Sequence, residues 1–427
     1  MHKIGAEFSE ELGETTFSTT LSNGLEIYIC KKKGFSKKIG LFGTKYGSVT
    51  NDFIDITTNK RVKVPDGIAH FLEHKLFEKE GANALDLFSK MGVSSNAYTS
   101  FDQTVFYFET VEKFEESIKM LVKLIKEPYF TPENVEKEQG IIGQEISMYD
   151  DDQNFMVYFN ALRAMYQKNP VRIDIAGTID SISHITSDML YTCYNTFYSP
   201  QNMFFIVVGD VDVDETINLI EESINQYETK SDSKIVKYTE EEPREIAQKE
   251  ITQKMDIYLP GLCIGYKLDL CSGKDIIKNE CIADIISDMY FSRLSNFYEE
   301  EYNKGYINEE IDFIYEGSET FSHLVISATS TNIDELEMDI LKYMKKIKSE
   351  DIDEELFEII KRKKIGENIL NSDRLGVSYR RIIDSILNNV PTYYDVEMYN
   401  SITSKDIKEF LDKLDEKYRV TSKIISK

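Results

Sequence analysis

Five histidines occur in the chain, and two of them stand four residues apart in His70-Phe71-Leu72-Glu73-His74. At about 100° per residue, a helix brings His70, Glu73 and His74 onto one face, one turn apart. Two imidazoles at that spacing can share a zinc ion at about 2.0–2.1 Å, while the carboxylate between them reaches the water the ion holds. His-x-x-acid-His arises by chance only about 0.008 times in a chain of this composition, so a pair of ordinary surface histidines is the weaker reading.

A hydrolytic zinc needs a third protein ligand and keeps its fourth position for water. The segment 135–148, VEKEQGIIGQEISM, offers candidates. Thr131-Pro132 is a good N-cap and first-turn pair for a helix through it. On that helix Glu138 and Glu145 fall within about 20° of one another, among Val135, Ile141, Ile142, Ile146 and Met148. Ionised carboxylates in the middle of an apolar face are costly unless paired or metal-bound.

The elements that must position these groups read as two runs of one order. In the first, strands at 15–21 and 25–30 flank the hairpin dipeptide Asn23-Gly24, with a further strand at 38–46. Helices at 67–79 and 84–91, strands at 94–99 and 104–109, helices from 113 to 198, a strand at 203–208 and an amphipathic run at 214–227 follow. Residues 228–248 are polar and read as a linker. The second run has strands within 255–266, a helix at 275–298 and strands at 312–315 and 323–328. Helices from 332 to 389 and at 404–414 and a last strand at 419–425 complete it. The expectation is an α+β fold of two similar halves, 1–227 with the metal motif and 249–427 without one, each a largely antiparallel sheet with helices packed on it.

Composition narrows the function further. The 427 residues are 41% apolar and 12% aromatic, enough for real cores and too much for a disordered chain. Fifty basic against 75 acidic residues give a net charge of −25, which argues against a nucleic-acid partner. Five cysteines without a close pair argue against a disulfide framework or a cysteine zinc site and for a reducing compartment. No apolar signal core opens the sequence, and the run 203–208 is too short to span a bilayer. A soluble, cytoplasmic protein is expected, with no membrane partner.

Residues 67–77, GIAHFLEHKLF, together with EKEQGIIGQE, resemble the pitrilysin/insulinase family of inverted zinc metallopeptidases, which includes the mitochondrial processing peptidase β subunit. The resemblance implies that His70, His74 and Glu145, 71 residues after His74, bind Zn2+. It also implies that Glu73 is the general base and that Glu138 supports the site electrostatically. Asn96, Ala97, Tyr98 and Thr99 match the family's edge strand, which takes a peptide substrate by strand addition, and Ala176-Gly177 and Asn202…Gly209-Asp210 match other landmarks. The implied activity is that of a metalloendopeptidase whose two halves close around an unfolded peptide. One feature departs from the pattern. Many members carry an Arg and a Tyr seven residues apart that contact the substrate carbonyl; here Tyr306 stands for the Tyr, but Glu299 takes the Arg position. A heterodimer with a zinc-signature-free relative carrying the Arg/Tyr pair would supply the missing charge; a homodimer is the other assembly expected. The alternatives are a zinc-bearing subunit inactive alone and a non-catalytic scaffold of the same family.

Overall fold

The computed structural model describes residues 2–227 and 234–427, so 228–233 of the expected linker lie outside the described residues. The first half contains β1 (Gly5–Ser9), β2 (Glu14–Thr20), β3 (Glu26–Lys31) and β4 (Lys38–Thr44). Two short ribbons follow, β5 (Asp52–Asp55) with β6 (Lys60–Lys63) and β7 (Glu78–Lys79) with β8 (Ala82–Asn83). Then come β9 (Ser94–Thr99), β10 (Thr104–Thr110) and β11 (Met203–Gly209). The second half contains β12 (Glu250–Met255), β13 (Gly261–Lys267), β14 (Asp312–Gly317), β15 (Ser322–Thr329) and β16 (Arg419–Ser426).

The first sheet runs β1-β2-β3-β11-β4-β10-β9 and the second β12-β16-β13-β15-β14. With β1 and β2 set aside, both are wound the same way: first, fifth, second, fourth, third strand in chain order. Each has one parallel pair, β3 with β11 and β12 with β16, and is otherwise antiparallel. This is the expected α+β architecture of two similar halves. The unbroken apolar run of β11 is buried at every position, as a strand covered on both faces requires. The winding leaves β9 and β14 on equivalent free edges.

Local details differ from the sequence reading. Strands β1, β5 and β6 and the helix Tyr394–Ser401 lack a strong period and were not expected. The expected helix at 275–298 is two helices, Lys274–Tyr290 and Asn296–Asn303, separated by a turn in which Ser295 caps the second.

The packing does not respect the chain divide. The helix Gln153–Met165, from the first half, lies on β12, β13 and β16, and sets Met156, Val157, Leu162 and Met165 against Met255, Cys263, Val420 and Ile424. In return, the helix Leu375–Asn388 lies on β3 and β11, and sets Leu375, Ile382, Ile383 and Ile386 against Cys30, Leu41, Phe204 and Val208. Each helix buries about four large apolar side chains, on the order of 10 kcal/mol at most. Separating the halves would expose both, a cost comparable to the whole stability of an ordinary domain. The expectation that these halves close on a peptide like jaws is therefore corrected: they are one bolted body.

The described part of the linker is bonded to both halves. Ile54 N–H donates to Val236 O at 2.9 Å and Tyr238 N–H to Asp52 O at 2.8 Å, adding a short strand beside β5. The Glu242 carboxylate accepts the N–H groups of Gln167, Lys168 and Asn169 at 2.8–2.9 Å and the Lys267 ammonium at 2.5 Å.

Candidate active site

The helix Ile68–Phe77 carries His70, Glu73 and His74, and its start is set by two glycines. Gly67, at φ 88°, has no room for a Cβ, which would lie 2.3 Å from Ala176 O; a Cβ on Gly177, at φ 80°, would lie 2.5 Å from Asp66 O. Their bare backbones interlock and aim the helix. Ile68, Phe71, Leu72 and Leu76 fix its inner face, and the two imidazoles lie one turn apart with ring centroids 4.6 Å apart and planes tilted by 56°.

Glu138 and Glu145 lie on the helix Pro132–Asp150, which begins at Thr131 with Pro132 in its first turn, as the sequence indicated. Thr131 and Asn134 cap each other reciprocally. The apolar face, however, is only half covered. Val135, Glu138, Ile142 and Ile146 are buried, while Ile141 and Met148 are 45% and 61% exposed. The covered arc is centred about 40° to one side of Glu138, which puts Glu145 on its rim, facing an open side. Glu138 is thus inside and Glu145 at the mouth.

His70 Nε2 lies 3.7 Å from Glu145 Oε1, and His74 Nε2 lies 3.4 Å from Glu145 Oε2. Donors at about 2.0–2.1 Å from a tetrahedral zinc are about 3.4 Å from each other, so these separations suit such an ion with little movement. Among the described residues these three form the one group of histidine, cysteine and carboxylate side chains close enough to share a metal, with ligand atoms within 4.8 Å of one another. His74 Nδ1 faces Glu138 Oε1 at 3.1 Å, a bond that leaves the Nε2 lone pair free to ligate. The Nδ1 of His70 is buried without a hydrogen-bond partner. The donor set therefore fits zinc.

The surroundings adjust the charges. Burial, with His74 close by, pushes the His70 imidazolium down to about 3, so this ring is neutral and ready to bind metal. Burial opposes the charged form of His74 too, but the Glu138 bond and the charges of Glu73, Glu145 and Glu138 outweigh it and raise its pKa. Burial raises Glu73 above the usual carboxylate range, partly offset by a hydrogen bond from Thr99 and by His74. Burial acts the same way on Glu138, but the His74 and Lys75 contacts win and lower it. Glu73 is therefore the stronger base of the two.

Strand β9 is the free edge beside this helix and pairs only with β10. Its side chains alternate. Thr99 Oγ1 donates to Glu73 Oε2 at 2.7 Å and Ala97 packs on the core of the first half, while Tyr98 packs with the core under the exchanged helix. Asn96 is exposed and its Oδ1 accepts the Ala97 N–H at 2.9 Å. What the strand offers outward is mainly backbone. Tyr306 is not with this group: it follows the helix Asn296–Asn303, its N–H bonded to Glu301 O and its ring under the Lys304 ammonium. Glu299 lies in the first turn of that same helix.

Two residues of the site escaped the sequence reading. The Tyr149 hydroxyl hydrogen-bonds to Glu145, one turn back. Lys75 is fully buried and contacts Glu138. Its signal was legible: position 75 falls on the apolar stripe of Ile68, Phe71 and Leu72, where a charge must have a partner.

Comparison with known proteins gives the family. Residues 61–179 match the family described as "Insulinase (Peptidase family M16)" and residues 184–364 the "Peptidase M16 inactive domain". A Bacillus subtilis (strain 168) protein named "Uncharacterized zinc protease YmfH" is 41% identical over 359 residues, 84% of each chain. The crystal structure of a putative M16-like peptidase from Alicyclobacillus acidocaldarius superposes with a TM-score of 0.93 at 30% identity, over 97% of this chain and 99% of that one. The periplasmic protease PqqL of Escherichia coli shares the fold, with a TM-score of 0.74 at 18% identity over 99% of this chain but only 48% of its own. With a peptidase domain match over the metal motif and a relative this similar over most of its length, the chain belongs to the pitrilysin/insulinase, or M16, family of peptidases.

Proposed function

We propose that the chain is a zinc-dependent endopeptidase acting on unstructured peptides laid along β9. The observation that carries this reading is the placing of His70, His74 and Glu145 at tetrahedral spacing beside a buried, basic Glu73 that is itself bonded to the edge strand. When bound by His70, His74 and Glu145, zinc supplies Lewis acidity, polarising a carbonyl and lowering the pKa of water. Strand β9 holds the substrate backbone by main-chain hydrogen bonds and so tolerates varied side chains. Glu73, with Oε2 occupied by Thr99, accepts the proton of the attacking water on Oε1. It then passes that proton to the leaving amide nitrogen, so the carboxylate is regenerated and one C–N bond is exchanged for one C–O bond.

The position at which the resemblance expects the carbonyl-contacting Arg holds Glu299. Arg381 bonds Asp395 and Asn368, with its buried Nη1 left without a partner, and Arg380 is near enough to Tyr98 of β9 to act on it electrostatically. A second chain, a zinc-signature-free relative with an Arg/Tyr pair, supplies that charge in this reading.

The test is metal analysis followed by cleavage of an internally quenched, unstructured peptide. About one zinc per chain and turnover are expected from the wild type. Glu73→Gln should retain the zinc and lose about 10²–10⁴-fold in rate. A His70→Ala/His74→Ala variant with full zinc content would remove the metal assignment; wild-type turnover by Glu73→Gln would remove the base.

A further inference from the structure

One lysine of the metal-bearing helix points the wrong way for a surface residue. Lys75 follows the ligand His74 directly, yet its side chain is 0% exposed. Its ammonium makes three contacts: the Glu78 carboxylate, the Asn134 carbonyl at 3.1 Å and Glu138 Oε2 at 3.6 Å. The other oxygen of that same carboxylate, Glu138 Oε1, is the partner of His74 Nδ1. Lys75, Glu138 and His74 thus form an unbroken line that ends at the His74 Nε2 facing Glu145.

The physical demand on each member is specific. A buried lysine without counter-charge is not tolerated in an apolar stripe, and neither is Glu138 on the covered arc of its helix. Lys75 offsets the charge of Glu138, while Glu78 and Glu138 together offset that of Lys75. The pair also spans two elements, because Lys75 belongs to the helix with both histidines and Glu138 and Asn134 belong to the helix with Glu145. A carboxylate held at both oxygens cannot rotate away from an imidazole it orients. Partners of this kind behind a metal-binding histidine typically change metal affinity about 10–100-fold.

We infer that Lys75 is a positioning residue of the metal site: through Glu138 it holds His74 with Nε2 turned to the metal and fixes the spacing of the two ligand-bearing helices. This rests on the zinc reading above and adds to it a residue outside the motif.

Zinc affinity, measured by competition with a chromophoric chelator, tests the inference in four full-length proteins: wild type, Lys75→Met, Glu138→Gln and the double variant. Circular dichroism checks folding, and the visible spectrum of the cobalt-substituted proteins reports ligand geometry independently of activity. Lys75→Met should weaken zinc binding tenfold or more and alter the cobalt spectrum. If Lys75 acts through Glu138, the double variant should bind zinc as Glu138→Gln alone does. That comparison decides even where Lys75→Met by itself does not fold, because the double variant removes both buried charges together and leaves only Glu78, which reaches solvent, without its partner. A Lys75→Met protein with wild-type affinity would overturn the inference. So would a double variant tenfold or more weaker than Glu138→Gln, which would mark Lys75 as a bolt independent of His74. Absence of zinc binding by the wild type is a separate outcome, and it overturns the metal site itself.

Discussion

Thr99 Oγ1 donates a 2.7 Å hydrogen bond to Glu73 Oε2, so the strand that would hold substrate also grips the base that would act on it. That bond opposes the effect of burial, which by itself raises the Glu73 pKa. The sign follows. With the bond gone, as in Thr99→Val, Glu73 stays protonated to higher pH, and a base must be deprotonated to work. The acid limb of the kcat/KM profile should move up by about one pH unit, the scale of a hydrogen bond to a charged group. Activity should fall most below neutrality and least above it. An unmoved limb would show that Thr99 does not set the proton affinity of Glu73.

The interlock at the start of the His70 helix is a second point of attack, remote from the chemistry. Gly67→Ala places a methyl group 2.3 Å from Ala176 O on a backbone at φ 88°. The left-handed conformation alone costs about 1–2 kcal/mol, and the clash adds to it. Thermal unfolding should shift down by several degrees, and zinc should be held more weakly because both histidines ride on this helix. Equal zinc affinity and melting temperature in the variant would refute the argument.

A separate consequence concerns alkaline stability. Burial, aided by the charges of Asp384, Glu316 and Asp395, raises Glu280 to about 8. A carboxyl whose folded pKa exceeds its unfolded value of about 4 binds its proton more tightly in the folded state. Its contribution is complete below pH 4 and is lost as pH rises through 8. Glu280→Gln should therefore melt about 1–4 °C higher than wild type at pH 9, with a smaller difference at pH 6. A gap that widens toward acid would reverse the sign and sink the idea.

Glu299 in place of the expected carbonyl-contacting Arg gives the most direct functional expectation. Loss of one such donor costs about 10²–10³-fold in turnover. The isolated chain should be slow, and adding a relative with the Arg/Tyr pair should raise peptide cleavage at least about tenfold. Full-rate cleavage by the pure, monomeric chain would end the two-chain reading.

The closeness of His70 to His74 was legible because it is local, one turn of a helix; that Glu145 rather than Glu138 faces both Nε2 atoms was implied by the resemblance alone. The sheets were legible as strands, since β11 and β13 are dense apolar runs. The exchange of helices was not. The Leu375–Asn388 helix is amphipathic wherever it packs, and nothing in its period says that its apolar stripe covers β3 and β11, over 160 residues away. The exposure of Ile141 and Met148 was equally hidden, because a wheel shows which residues share a face and not how far the neighbour extends over it. Lys75 is the intermediate case, a conflict visible in the stripe whose resolution at Glu138 required the third dimension.

The exchanged helices also bear on how such a chain can be inherited or dismantled. Two units wound alike suggest modules that could be trimmed, shuffled or expressed singly. Yet excising residues 249–427 would strip the cover from β3 and β11 as well as removing a sheet, and excising the first half would bare β13 and β16. Neither piece is a portable cassette, and a donor gene must carry both or neither. A protease nick in the connecting segment would sever one peptide bond and leave two fragments that still travel as one particle.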